Sequence, residues 1–251
     1  MTTDIHTHLG TSPNEVLSVN SENLVEEVDM LISRMDTFGI DKSVLVPNEP
    51  RVPTSLYIKA ADIYPDRLFS ACSIIPRPMD RAKQQLKEYV DQGCKALILS
   101  DDTYYPFDPA ALALVHAAAA KDIPVYLQSN ELTSETISFL DSITTVYPEG
   151  KFVVLSMGGL FGFPQLIPLI SRSNLWLELS TTFSKLVESP LRVFLDAIVQ
   201  DIGVRKLVFG SGFHSQYPDM MAALNLIDLN IETRRLVMRE NAWVILGVSF
   251  S

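Results

Sequence analysis

The sequence predicts an α/β protein, a single closed (β/α)8 barrel over residues 1–251. Eight short β-rich runs are each followed by a longer segment of helical character, and 251 residues is the usual size of one such barrel. An open doubly wound sheet shows the same alternation, but the even spacing of eight units without a Gly-x-Gly-x-x-Gly turn favours closure. The predicted strands are residues 3–8, 43–47, 69–75, 94–100, 123–128, 151–156, 174–180 and 205–210.

The segments between the strands carry the periodicity of helices that pack on a sheet. In the first, apolar residues recur at spacings of three and four from Leu24 to Met35, and Gly39 ends the pattern. One face of this helix is therefore predicted to cover the sheet. Similar segments occupy residues 80–91, 109–121, 134–147, 190–202 and 231–246.

Charge and composition narrow the class of partner. The chain has 20 Lys and Arg against 30 Asp and Glu, a formal net charge of −10, which argues against nucleic acid or an anionic membrane surface. We expect a small-molecule ligand, and a homo-oligomer remains possible.

Residues 152–170, the most apolar long stretch, are interrupted by Gly and Pro, so no membrane span is predicted. Two cysteines and a start without a basic, apolar leader predict a cytoplasmic protein.

The first strand carries the residues best suited to chemistry. Asp4, His6 and His8 alternate along it, so all three side chains are predicted to share the interior face of the barrel near its C-terminal mouth. Two imidazoles there could bind one divalent metal ion, which would polarise a carbonyl or activate water. Two histidines hydrogen-bonded inside a polar barrel end are the structural alternative.

Four motifs extend over the chain in order. They are DIHTHLG at 4–10, KFVVLSMGG at 151–159, LVFGSG at 207–212 and ENAWVILG at 240–247. Together they resemble the amidohydrolase-related branch of the amidohydrolase superfamily, whose members are metal-dependent barrels that hydrolyse lactones, amides or esters, or decarboxylate aromatic acids. The resemblance implies one divalent metal ion at the C-terminal ends of the strands.

The resemblance also implies that much of this metal site has been replaced. His6 and His8 match the first-strand ligands of the family. Gln128 stands where the fifth-strand histidine is expected, Ser156 at the sixth-strand histidine and Gly212 at the catalytic aspartate. We therefore expect any divalent metal, zinc first, to be bound weakly or not at all, with Gln128, Ser156 and Gly212 contributing to ligand binding instead.

Two residues outside the family set could compensate. Glu178 lies in an otherwise apolar seventh strand, where an unpaired carboxylate would be costly to bury, so it is predicted to face the interior with a partner and to act as general acid or base. His214, two residues after Gly212, is a further candidate for ligand binding, with an exposed loop histidine as the alternative. Aromatic residues in loops after strands four, six and eight could form a rim around an apolar ligand. They are Tyr104, Tyr105, Phe107, Phe161, Phe163 and Phe213.

Two functional hypotheses follow from these residues. The first is a hydrolase, or a decarboxylase, that acts on a small carbonyl-containing molecule with His6, His8 and Glu178. The second is a non-catalytic barrel that has kept the pocket for ligand binding or regulation. The fold alone does not decide between them.

Overall fold

A computed structural model describes residues 1–129 and 132–248, without the side chains of residues 201 and 202. The eight predicted strands correspond to β1 to β8, and each of these begins within two residues of its predicted start, as expected for apolar runs bounded by turn residues. Residues 130, 131 and 249–251 lie outside the description. The strands are β1 (Thr3–His8), β2 (Lys42–Leu45), β3 (Leu68–Ser73), β4 (Ala96–Ser100), β5 (Val125–Gln128), β6 (Phe152–Val154), β7 (Leu175–Glu178), β8 (Leu207–Val208) and β9 (Gly212–Phe213).

The strands form one curled parallel sheet in the order β8-β7-β6-β5-β4-β3-β2-β1-β9. Strands β8 and β9 are two parts of the eighth barrel strand, because residues 209–211 bridge them beside β1. Ile5 N donates to Phe209 O at 3.1 Å, and Ser211 N donates to His6 O at 3.0 Å. The first and last strands are therefore paired, which confirms the predicted (β/α)8 closure.

Helices form the outer layer, as the periodicity predicted. The first crossover helix begins at Leu24, ends at Phe38 and is capped by Gly39 in a left-handed conformation; it buries Leu24, Val28, Leu31, Ile32 and Met35. The α-helices are α1 (Pro13–Val16), α2 (Leu24–Phe38), α3 (Thr54–Ile63), α4 (Met79–Asp91), α5 (Pro109–Ala119), α6 (Ser134–Val146), α7 (Phe163–Leu166), α8 (Ser180–Val187), α9 (Arg192–Ala197), α10 (Tyr217–Asn225), α11 (Ile231–Arg235) and α12 (Asn241–Leu246). None of the helices in the described ranges is long and apolar enough to cross a bilayer.

Two apolar layers hold the barrel together. The larger lies between sheet and helices, and the smaller fills the interior, with side chains from all eight barrel strands and from α12 at one end. Ile5, Val44, Tyr126 and Trp176 belong to this interior layer. Polar groups placed above it, toward the C-terminal ends of the strands, therefore sit at the end of the barrel where such folds carry their sites.

Candidate active site

A bulge in β1 decides which side chains reach the barrel interior. Asp4 pairs with Ser43 and Thr7 with Leu45, so three steps along β1 match two along β2. The expectation that Asp4 shares a face with His6 and His8 is therefore wrong. The extra residue breaks the alternation, and Asp4 lies on the outer face, where it meets α10.

Asp4 ties the closing strands together. Its carboxyl accepts hydrogen bonds from Ser211 Oγ at 2.7 Å and Tyr217 Oη at 3.0 Å, besides those from the backbone N–H groups of His6 and Ser211. Burial raises the pKa of Asp4 to about 6, against the opposing effect of these donors. Sequence reasoning missed this network, since only the bulge brings Asp4 to Tyr217.

His6 and His8 converge on one point. Their Nε2 atoms are 3.4 Å apart, and the rings meet nearly perpendicular, at 83°. His6 Nδ1 lies 3.0 Å from Glu178 Oε2, and His8 Nδ1 lies 2.7 Å from Val46 O. Both partners are acceptors, which assigns hydrogen to both Nδ1 atoms, and in the neutral rings the two Nε2 atoms then present lone pairs. Burial, with the charge on His6 second, lowers the pKa of His8 to about 3.

Glu178 is at the end of β7, fully buried behind His6. Its Oε2 accepts from Ser156 N at 2.7 Å as well as from His6. The partner predicted from the sequence is therefore present, and it is His6. The carboxyl lies on the far side of the imidazole from Nε2, so it reaches the mouth only through His6.

Strained backbone surrounds this carboxyl. Ser156 (φ 50°) and Ser180 (φ 29°) both adopt left-handed conformations that cost non-glycine residues energy. The turn at Ser156 aims its N–H at Glu178, and the two serine hydroxyls are 2.9 Å apart. Gly210 is required by contact, since a Cβ there would lie 2.1 Å from Glu178 Oε1. Such strain is typical of sites that hold side chains in one geometry.

The remaining predicted site residues are Gln128, Gly212 and His214. Gln128 ends β5, and Gly212 pairs with Thr7 of β1, so both lie at the same end of the barrel as His8. A Cβ at Gly212 would meet Ser180 Cβ at 3.6 Å, an ordinary van der Waals contact. His214 is buried, contrary to the exposed-loop alternative, and its surroundings include Arg34 and Glu15. Burial lowers the pKa of His214 to about 4.

The aromatic rim is only partly present. Tyr105 and Phe161 are more than four-fifths exposed, whereas Tyr104 and Phe163 are buried in the outer apolar layer. Phe213 contacts the His8 ring at a centroid distance of 5.1 Å. Phe213 therefore lies directly against the histidine pair, and the exposed aromatics lie on the loops around the mouth.

The donor set fits two positions of a divalent metal site. Ligand nitrogens about 2.0–2.1 Å from a tetrahedral zinc ion are about 3.4 Å apart, which matches the His6–His8 separation, and each imidazole has the hydrogen-bonded Nδ1 typical of a metal ligand. In the described part of the chain, no group of three His, Cys, Asp or Glu side chains is placed to hold a metal. The site thus fits a pair of ligands rather than a full set.

Comparisons with known proteins agree with this architecture. A family model described as amidohydrolase matches residues 3–248. No curated protein matches the sequence. An uncharacterized TIM-barrel protein from Bordetella bronchiseptica is similar in structure, with a TM-score of 0.80, 15% identity and 98% of each chain covered.

Two similar structures are of proteins whose names state a reaction. One is a probable 2-pyrone-4,6-dicarboxylic acid hydrolase from Acinetobacter baumannii with citric acid bound (TM-score 0.73, 19% identity, 98% of this chain and 99% of that one). The other is a dihydroxybenzoic acid decarboxylase from Polaromonas sp. JS666 with manganese and 2-nitroresorcinol (TM-score 0.73, 14% identity, 100% and 98%). At these identities the likeness shows the fold alone. Because the family model matches nearly its whole length, the chain belongs to the amidohydrolase family.

Proposed function

We propose that this protein is an enzyme that hydrolyses a small carbonyl-containing molecule, with decarboxylation as the second chemistry that the family offers. The observation that carries the proposal is the histidine pair, whose two Nε2 atoms face each other at 3.4 Å with both Nδ1 atoms held by acceptors.

His6 is the proposed general base. Because Glu178 Oε2 accepts its Nδ1–H, His6 Nε2 is free to take a proton, and the carboxylate stabilises the imidazolium that forms. In hydrolysis, Nε2 takes a proton from water as the water oxygen bonds to the carbonyl carbon. The same proton then goes to the leaving group as its bond to that carbon breaks. Glu178, predicted as the acid or base itself, acts through His6.

His8 supplies a second lone pair at the same point. Its pKa, lowered by burial to about 3, keeps it neutral near pH 7, so it can accept a hydrogen bond from the attacking water or substrate. Gly212 offers no side chain for proton transfer, so the base must come from another strand, and His6 is the residue placed to provide it.

His6 and His8 are also the residues that would hold a divalent metal, with zinc as the first expectation. When bound, such an ion would polarise a substrate carbonyl. With two imidazoles as the ligand pair, we propose weak binding, and the proton transfers assigned above need only the side chains of this chain.

The substrate class is proposed from the mouth and from the relatives. Phe213 against His8 and the exposed Tyr105 and Phe161 suit a flat ring. The names of both relatives refer to carboxylated rings, in one case a pyrone and in the other a benzoic acid. We therefore propose a small carboxylated ring compound with an ester, lactone or amide bond.

The test is a turnover panel with matched histidine variants. Purified protein, with chelator or with added zinc or manganese, is incubated with carboxylated lactones, aryl esters and hydroxybenzoic acids. We expect hydrolysis, reduced by about 100-fold or more in His6→Gln, the usual range for loss of general base catalysis. His116→Gln on the exposed face of α5 is the control and should leave turnover unchanged.

The second candidate function is non-catalytic ligand binding, and the missing side chain at Gly212 favours it. Saturable binding of these compounds without turnover under any metal condition would establish that function instead. Equal turnover in wild type and His6→Gln would also contradict the proposed mechanism.

A further inference from the structure

Two buried polar atoms in the barrel interior have no hydrogen-bond partner within the described residues. They are the phenol oxygen of Tyr126 and Oε1 of Glu178, and both side chains are fully buried. One is a donor and the other an acceptor. Buried polar groups of folded proteins are normally satisfied, either by protein atoms or by an enclosed water molecule.

The strand register brings these two side chains toward the same chamber. Tyr126 is level with Val153, and Val153 is level with Trp176, all in the interior layer. Glu178 is two residues beyond Trp176, so it faces the same way, with its Cα about 12 Å from that of Tyr126 by ordinary strand spacing. Two long side chains and one water molecule span such a distance. Burial, and then the charge on Glu178, raises the pKa of Tyr126, which agrees with their proximity.

We propose that Tyr126 is a positioning residue of the active site, which donates to Glu178 Oε1 through one enclosed water molecule. His6 and Ser156 fix Oε2, and this bridge fixes Oε1. The carboxyl then has both oxygens held and cannot rotate away from His6. The bridge itself does not depend on the proposed function. Its catalytic consequence does rest on that function: the fixed carboxyl keeps hydrogen on His6 Nδ1 and a lone pair on Nε2, as a general base requires.

The variant Tyr126→Phe removes the hydroxyl and keeps the ring. If the phenol were an isolated buried donor, its removal would leave stability unchanged or increased, because no partner is lost. If it holds the bridge, we expect the unfolding equilibrium constant to rise about fivefold, the usual effect of one lost hydrogen bond. Tyr57→Phe is the matched control, since Tyr57 is equally buried but accepts from Leu9 N on the outer side of the sheet.

Nitrogen-15 NMR of the histidine rings separates positioning from mere stability. The chain has four histidines, so the ring signals can be assigned by substitution. In metal-free protein with chelator, we expect wild-type His6 to show one tautomer with hydrogen on Nδ1, Tyr126→Phe to show a mixture, and Tyr57→Phe to resemble wild type. A crystal structure should show a water within hydrogen-bond distance of both oxygens.

Unchanged His6 signals in Tyr126→Phe would overturn the positioning role, whether or not stability falls. Unchanged or increased stability would overturn the bridge itself. Because the NMR measurement needs no substrate, absence of turnover would refute the proposed function and leave this inference to be judged by its own data.

Discussion

Gly210→Ala is the sharpest single test of how the site is built. The new Cβ would lie 2.1 Å from Glu178 Oε1, 2.6 Å from Cδ and 2.7 Å from Cγ, so the carboxyl must move. Gly210 does not adopt a left-handed φ, so alanine adds no backbone strain of its own. The variant therefore acts on the Glu178 contacts directly.

The magnitude follows from what the displaced carboxyl loses. Its Oε2 accepts from His6 Nδ1 at 3.0 Å and from Ser156 N at 2.7 Å. Hydrogen bonds to a charged group contribute about 1.5–3 kcal/mol each, so losing both would lower the free energy of unfolding by about 3–6 kcal/mol. Relaxation of the surrounding turn places the expected value in the lower half of that range.

Urea unfolding followed by tryptophan fluorescence measures this loss. The control is Gly39→Ala, at a left-handed helix end with no atom within 4 Å of a Cβ, which should cost about 1 kcal/mol of backbone strain. We expect Gly210→Ala to be clearly less stable than Gly39→Ala. If the two variants were equally stable, or if Gly210→Ala matched wild type, the reasoning about Glu178 would be refuted.

Three further predictions concern metal binding and pH. Protein purified without added metal should contain well under one zinc, manganese or iron ion per chain, and chelation should change its melting temperature little. A measured content of about one tightly held ion per chain would contradict this prediction. Ser156→His with Gly212→Asp restores the histidine and the aspartate that the family resemblance implies beside His6 and His8, so elemental analysis should show a rise toward one zinc per chain, whereas Gly212→Asn alone should give no rise. His214 has its folded-state pKa lowered to about 4, so below pH 6.5 the unfolded chain binds more protons and stability is lost as pH falls toward 4. Between pH 7 and pH 4, His214→Gln should reduce the decrease in the free energy of unfolding by up to about 3 kcal/mol, as measured by urea unfolding. An unchanged pH dependence would contradict the assignment of His214 as a buried, neutral side chain.

Several features of this protein follow from local pattern. Alternating apolar runs and amphipathic segments with glycine stops specify strands and helices by themselves, and eight repeats of that unit leave a closed barrel as the natural way to pair every strand. The placement of His8, Ser156 and Glu178 at one end of the barrel also follows, because all parallel strands end on the same side. The cost of an unpaired buried carboxylate made Glu178 identifiable as a partnered residue from sequence alone.

The tertiary structure decided what local pattern does not encode. A bulge shifts the side-chain alternation of β1, so Asp4 turns to Tyr217 while His6 turns to Glu178, and a bulge depends on the pairing with β2 and not on β1 itself. Gly210 lies within the LVFGSG motif and Tyr126 in none, but no motif shows their relation to Glu178, which exists only because strands distant in sequence meet in the barrel. The sequence thus determined which strand ends lie at the mouth, whereas long-range packing determined which side chains turn toward it and which atoms face each other, since hydrogen-bond partners are set by angstrom-scale positions that residue spacing does not fix.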